Sequence, residues 1–143
     1  MEFRPCIDIH NGQVKQIVGG SLRDTGEGLT ENDISERDAG YFAELYKNEG
    51  LYGGHIILLN SRDSEFYGDT KAQALLALKS FPGGMQIGGG ICPENAKEFL
   101  DAGASHVIVT SYVFQEGRIR LDRLKEMVKT VGKERLVLDM SCR

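Results

Sequence analysis

The sequence predicts an α/β fold on a parallel sheet, and three observations predict it. Short β-branched runs recur along the chain, each is apolar through its middle, and a helical pattern separates one from the next. Parallel strands buried on both faces read as continuous apolar runs, and the crossover between two of them needs a dozen or more residues, usually a helix.

Phe3 to Ile9 opens the series of strands. The segment HNGQVKQIVGG (10–20) departs from plain alternation: the turn dipeptide Asn11–Gly12 is followed by Val14, Gln16 and Val18 in alternation, which predicts a small hairpin over the mouth of the sheet. A first helix is expected over roughly Ile34 to Asn48, presenting Phe42, Leu45 and Tyr46, with Gly40 inside it. HIILL (His55–Leu59) is the next strand. Thr70 is read as the cap of the helix that follows, with Ala74, Leu75 and Leu78 apolar before Pro82 ends it. MQI (Met85–Ile87) continues the sheet. Pro93 stands at a favoured first-turn position, Glu94 near the positive helix end, and Ala96, Phe99 and Leu100 precede a stop at Gly103. HVIVT (His106–Thr110) is a fourth parallel strand. The last helix places Leu121, Leu124, Met127, Val128 and Val131 on one face with Gly132 as its stop, and LVLDM (Leu136–Met140) is the fifth strand. This alternation allows an open, doubly wound sheet or a closed barrel. No linker or low-complexity tract interrupts it, so residues 1–143 read as a single domain.

Composition narrows the partners. The 143 residues carry 17 basic and 21 acidic side chains, a net charge of -4, with no long block of one sign. That leaves no electrostatic footprint for nucleic acid or an anionic membrane, while a small anion can still be held by backbone N–H groups. No apolar run approaches the roughly 20 residues needed to cross a bilayer, and the N-terminal residues lead directly into a strand instead of a cleavable signal. Cys6, Cys92 and Cys142 are far apart and odd in number, which fits reduced thiols. A cytoplasmic protein is expected.

In parallel β/α proteins ligands meet the carboxyl ends of the strands. Here those ends carry Asp8, the Leu59–Asn60–Ser61 corner, Gly88–Gly89–Gly90, Thr110–Ser111 and Asp139. Three glycines after a strand let backbone approach a bound group and aim N–H groups at it, and a phosphate is the natural occupant. Thr110 and Ser111, on a neighbouring strand about 5 Å away, can add hydroxyl donors. The bland alternative is a tight turn. The motif is not a dinucleotide fingerprint, because G-x-G-x-x-G is absent. Asp8 and Asp139 each end a buried strand, where an ionised carboxylate needs a partner or a task. In a closed barrel of eight strands, strands one and five stand opposite, so the two acids would face each other and suit general acid–base chemistry. Taken singly, either acid is more simply a loop cap or an ion-pair partner. Asp8 and His10 form a D-x-H pair, but His55 and His106 begin their strands at the other end, which argues against a metal site. Lys15 could approach a substrate from the hairpin, with a solvated lysine as the ordinary explanation.

The stretches FRPCIDIHNGQVKQIVGG (3–20), GGHII (53–57), QIGGGI (86–91), HVIVTS (106–111) and RLVLDMSCR (135–143) together resemble the phosphoribosylformimino-5-aminoimidazole carboxamide ribotide isomerases, in their eukaryotic-type branch. The resemblance runs the whole length of the chain. It implies a phosphate-binding (β/α) barrel of two similar halves, of which this chain supplies four βα units and the fifth strand. It also implies an Amadori aldose-to-ketose rearrangement in histidine biosynthesis on a substrate with two phosphates, without metal or organic cofactor. Within that resemblance Asp8 is the general base, Asp139 the acid, and Gly88, Gly89, Gly90, Thr110 and Ser111 the phosphate site. A sister family on the same barrel, the cyclase component of imidazole glycerol phosphate synthase, is the first alternative, and a non-catalytic phosphosugar-binding half-barrel the second. Two departures from many bacterial isomerases stand out: Leu58–Leu59 where they carry an Asp, and Cys92–Pro93 where they often carry Arg–Ser. A complete barrel of this kind needs about 250 residues. The fragment alone is therefore expected to be inactive, and to self-associate or fold poorly through its open edge and uncovered apolar face.

Overall fold

A computed structural model describes residues 2–17 and 31–140. Val18, the end of the predicted hairpin, and Cys142 lie outside the described residues. The strands are β1 (Cys6–His10), β2 (Gln13–Ile17), β3 (Glu31–Ile34), β4 (Gly54–Leu58), β5 (Met85–Gly88), β6 (Val107–Val109), β7 (Phe114–Gln115), β8 (Arg118–Ile119) and β9 (Leu136–Leu138). The helices are α1 (Ala39–Asn48), α2 (Tyr67–Ser80), α3 (Pro93–Asp101) and α4 (Leu121–Val131). The fold is α/β with a mostly parallel sheet: seven strands lie in the order β3-β2-β1-β4-β5-β6-β9, and β1, β4, β5, β6 and β9 are parallel neighbours. β7 and β8 form a separate two-stranded ribbon.

The five parallel strands follow one another in chain order without a reversal, each joined to the next through a helix. Crossovers of one hand, always stepping the same way, put every helix on the same face of the sheet. Burial agrees. Ile7, Ile9, Ile56, Leu58, Met85, Ile87, Val107 and Val109 are at most 3% exposed, on the face that the helices cover. The alternate positions Asp8, Ile57, Gln86 and Ile108 stay half-exposed on the other face.

Local chemistry sets the ends of the elements. The hairpin forms as the Asn11–Gly12 dipeptide predicts, with Ile9 opposite Val14 and His10 opposite Gln13. Both turn residues have positive φ, 51° and 72°, as a two-residue turn of this hand requires. The helix expected from Ile34 is shorter. Ile34 ends β3, and α1 starts after Asp38, whose side chain accepts the Tyr41 N–H at 2.8 Å; a carboxylate cap outweighs the looser apolar pattern upstream. Gly40 inside α1 is explained by packing, since a Cβ there would lie 2.9 Å from Leu76 Cγ on α2. Thr70 does not cap α2: the helix begins at Tyr67, and Thr70 is fully buried inside its first turns, bonded to the β1–β2 turn and to Asn60. Pro93 opens α3 as expected, with Asn95 Oδ1 accepting the Cys92 N–H at 2.9 Å. The predicted face of α4 is only partly used. Met127 is buried and Leu124 and Val131 pack on the core, but Leu121 is 62% exposed and Val128 37%, because α4 meets α3 and edge strand β9 with nothing described on its far side.

Candidate functional site

Register gathers the candidate residues. Asp8 is paired with Ile57, and Ile57 with Gly88. Ile108 packs beside Gly88, its Cβ 3.2 Å from where a Gly88 Cβ would stand, and Ile108 is paired with Val137. Partners across a parallel ladder share a face, so Asp8, Ile57, Gly88, Ile108 and Val137 form one row on the helix-free side. Two residues further, Thr110 and Asp139 continue that face at the carboxyl ends. The ladder runs on through the Asp139 N–H to Val109 carbonyl bond at 3.1 Å, and Thr110 Oγ1 donates to Asp139 Oδ2 at 3.4 Å. Asp8 and Asp139 thus stand on one face and at one end of the sheet, separated by β4, β5 and β6.

Asp8 has a local partner that the sequence does not announce. The Cys6 thiol donates to Asp8 Oδ1 at 2.9 Å, two residues back on the same strand face. Lost solvation, first, and the bond to the carboxylate, second, push the Cys6 thiol well above its ordinary range, so it stays protonated and keeps donating. Asp139, by contrast, is exposed.

The three glycines differ in their work. Gly88 is buried in the row between Ile57 and Ile108, where a side chain would crowd both. Gly89 has φ 97°, and a Cβ there would lie 2.1 Å from the Leu58 carbonyl oxygen, so the chain leaves β5 in contact with the neighbouring strand. Gly90, at φ 65°, is exposed and bare. Thr110 and Ser111, also exposed, cross from the end of β6. Gly90, Thr110 and Ser111 follow the ends of the neighbouring strands β5 and β6, while Gly88 lies within the packed row.

The hairpin is tied to the sheet by a buried polar network. Asn60, 6% exposed, accepts the Asn11 N–H at 2.8 Å and the Thr70 hydroxyl at 2.6 Å, and its Nδ2 donates to Asn11 Oδ1 at 2.7 Å. Thr70 Oγ1 accepts the Gly12 N–H at 3.0 Å. This network fixes the turn that immediately follows β1, the strand that carries Asp8. Lys15 Nζ lies 3.4 Å from His10 Nδ1; the sequence gives Lys15 no such neighbour, because only the hairpin register brings the two together. Arg62, in the loop after β4, is the residue that reading by motif misses. It donates to Cys92 Sγ at 2.8 Å and its stem crosses Gly90. Its only signal in the sequence is a single arginine just past a strand's carboxyl end. His55 and His106 do lie toward the amino ends of their strands, away from His10.

A one-way parallel β/α sheet thus carries acids, a glycine turn and hydroxyls at its carboxyl ends, the edge where parallel β/α proteins meet their ligands. Comparison narrows the class. The chain belongs to the histidine biosynthesis protein family, whose pattern matches residues 2–143. It is 52% identical over 147 residues, all of this chain and 46% of the relative, to the Medicago truncatula protein named 1-(5-phosphoribosyl)-5-((5-phosphoribosylamino)methylideneamino)imidazole-4-carboxamide isomerase, chloroplastic. Isomerases of the same chemical name in Neurospora crassa and Saccharomyces cerevisiae are 45% and 42% identical, each across 99% of this chain and 53% and 52% of their own lengths. The chain spans about half the length of these relatives. No helix among the described residues is long and apolar enough to cross a membrane.

Proposed function

We propose that residues 1–143 are the single-domain N-terminal half of a closed (β/α) barrel, and that the complete protein is the isomerase of histidine biosynthesis its relatives are named for. Strand order supports the barrel. Doubly wound sheets reverse direction and carry helices on both faces, whereas here the order of the five parallel strands never reverses and the second face is left to half-exposed side chains. Along an open sheet, four strand spacings of about 4.8 Å would hold Asp8 and Asp139 roughly 19 Å apart, too far to act on one sugar; closure turns that arc into a mouth.

The observation that carries the chemistry is the shared face and shared end of Asp8 and Asp139, on the first and fifth parallel strands. In the proposed reaction Asp139 protonates the furanose oxygen of the ribosylamine, opening the ring to a protonated Schiff base. Asp8 removes the C2′ proton to give an enolamine, which reprotonates at C1′ as the ketose. Gly88, Gly89 and Gly90 with Thr110 and Ser111 hold one phosphate, so that the reacting carbons are fixed between the acids. The substrate carries a second phosphate for the half not present here. The protein acts in the cytoplasm or, as the Medicago relative's name suggests, in a plastid.

The test is to complete the chain with the second half of a relative and assay both isomerisation and ammonia-dependent cyclisation. Isomerisation is expected; cyclisation alone would assign the sister activity, and neither would favour a binding role. Residues 1–143 by themselves are proposed to be inactive and to associate through β9, the half-exposed apolar row and the exposed Leu138 and Met140. A monodisperse monomer in sedimentation would contradict that.

A further inference from the structure

We infer that Arg62 is the cationic ligand of the phosphate at the Gly88–Gly90 turn, an assignment that rests on the phosphate reading above and adds to it the one full charge the site otherwise lacks. Arg62 leaves the loop after β4 and crosses to the loop after β5. Its Cγ and Cδ stand 3.5 and 3.7 Å from where a Cβ of Gly90 would be, ordinary contact distances, so its stem lies along the backbone of the turn. Its guanidinium is held in place without being neutralised in contact. Its Nη1 donates to Cys92 Sγ at 2.8 Å. Cys92 is buried, and burial, first, raises its thiol pKa, so the acceptor is a neutral sulfur, a weak one. The nearest carboxylate, Glu94, is 4.0 Å away, and both side chains are about half-exposed or more; at that distance the contact is not a hydrogen bond, and such pairs are worth little.

The neighbouring cations behave differently. Lys71 meets Glu98 at 2.7 Å and Lys97 meets Asp101 at 3.0 Å, each in direct contact with its counter-charge. Arg62 alone of the three, with 49% of its side chain exposed, has its counter-charge no closer than 4.0 Å. A guanidinium offers two parallel donors to a tetrahedral oxyanion, which suits a sugar phosphate in particular. Cys92 orients the fork, the stem lies along Gly90, and Glu94 competes weakly for it.

The experiment titrates inorganic phosphate and ribose 5-phosphate into the 143-residue chain. Binding is followed as protection from hydrogen exchange of the peptides covering 88–92 and 109–112. Wild type, Arg62→Ala, Arg62→Lys and Glu94→Gln are compared, with circular dichroism checking that each keeps its fold. Arg62→Ala is expected to weaken binding about tenfold, the weight of one charge-assisted contact, and to flatten its salt dependence. Arg62→Lys should recover part of the loss, because it restores charge without the fork. Glu94→Gln should tighten binding about threefold by removing the competitor, a gain that misfolding cannot produce. Equal affinity for wild type and Arg62→Ala, or weaker binding by Glu94→Gln, overturns the assignment of Arg62 and leaves the glycine turn as the phosphate site. Absence of protection in every variant overturns the phosphate reading and this inference with it.

Discussion

Asn60→Ala should destabilise the chain by about 3 kcal/mol and release the β1–β2 turn. The substitution removes three short hydrogen bonds, to the Asn11 N–H, the Thr70 hydroxyl and Asn11 Oδ1. Each is worth about 1 kcal/mol net in a protein interior, and a buried group left without a partner costs about 1–3 kcal/mol more. Asn11 is half-exposed and can turn to water, so its two bonds cost little beyond their net value. Thr70 is fully buried, but its hydroxyl still accepts from Gly12 and is not wholly orphaned. The sum stays near 3 kcal/mol, which for a chain of this length lowers the melting temperature by about 10 °C. Melting must be followed at one protein concentration, since association makes the midpoint depend on it. Hydrogen exchange supplies the local readout, because the Asn11 amide loses its acceptor and the Gly12 amide loses the rigidity of its own. A shift under about 1 kcal/mol, or unchanged protection at Asn11 and Gly12, would refute the view that this network holds the hairpin.

Two further substitutions probe the ends of the sheet. Gly89→Ala should cost about 3–5 kcal/mol, from positive-φ strain together with a Cβ driven against the Leu58 backbone, whereas Gly90→Ala should cost only about 1–2 kcal/mol, since it meets nothing closer than the flexible Arg62 stem. Equal losses in urea denaturation would contradict the packing described for Gly89. Cys6 should alkylate far more slowly at pH 8 than a free thiol, because its raised pKa keeps it protonated. In Asp8→Asn the carboxylate that holds the proton is gone, so the rate should rise, though not to that of a free thiol while desolvation persists. Mass spectrometry of the Cys6 peptide reads the rate, and an unchanged rate in Asp8→Asn would remove the Cys6–Asp8 bond from the account. The same shift has a stability consequence: the protonated thiol favours the fold below its ordinary value of 9.0, and that contribution fades as pH rises above it.

How far the sequence carries can be judged from particular elements. Apolar runs and helical patterns suffice for the order of the five parallel strands and four helices, though not for β3 or the β7–β8 ribbon, since burial beneath the helices leaves a direct imprint on residues such as Ile56, Leu58, Val107 and Val109. The Asn11–Gly12 turn is equally legible, because positive φ at two successive residues restricts the residue types. Thr70 illustrates the opposite case. A threonine before an apolar run reads as a cap, yet its hydroxyl is claimed by Asn60 and Gly12, 10 and 58 residues away in the chain, and no local pattern records such a contact. β3 and the late start of α1 depend likewise on pairing with β2 and on a single carboxylate cap.

The candidate site divides along the same line. Asp8, Asp139 and the glycines stand out because acids and runs of glycine at strand ends are costly without a purpose. Their sharing of one face follows from register, which the sequence constrains only through alternation. The Cys6 thiol on Asp8 and the Arg62 stem on Gly90 depend on side-chain direction across a strand and between two loops, and neither leaves a spacing that a motif could capture.

The most direct measurement is of turnover by residues 1–143 joined to a relative's second half, with Asp8→Asn and Asp139→Asn compared against the unaltered chain. Each substitution is expected to lower kcat by about 10² to 10⁴ while substrate affinity changes little, as for a group that acts on the proton in flight. Turnover near the unaltered level in Asp8→Asn would contradict the account, whatever the behaviour of Asp139→Asn.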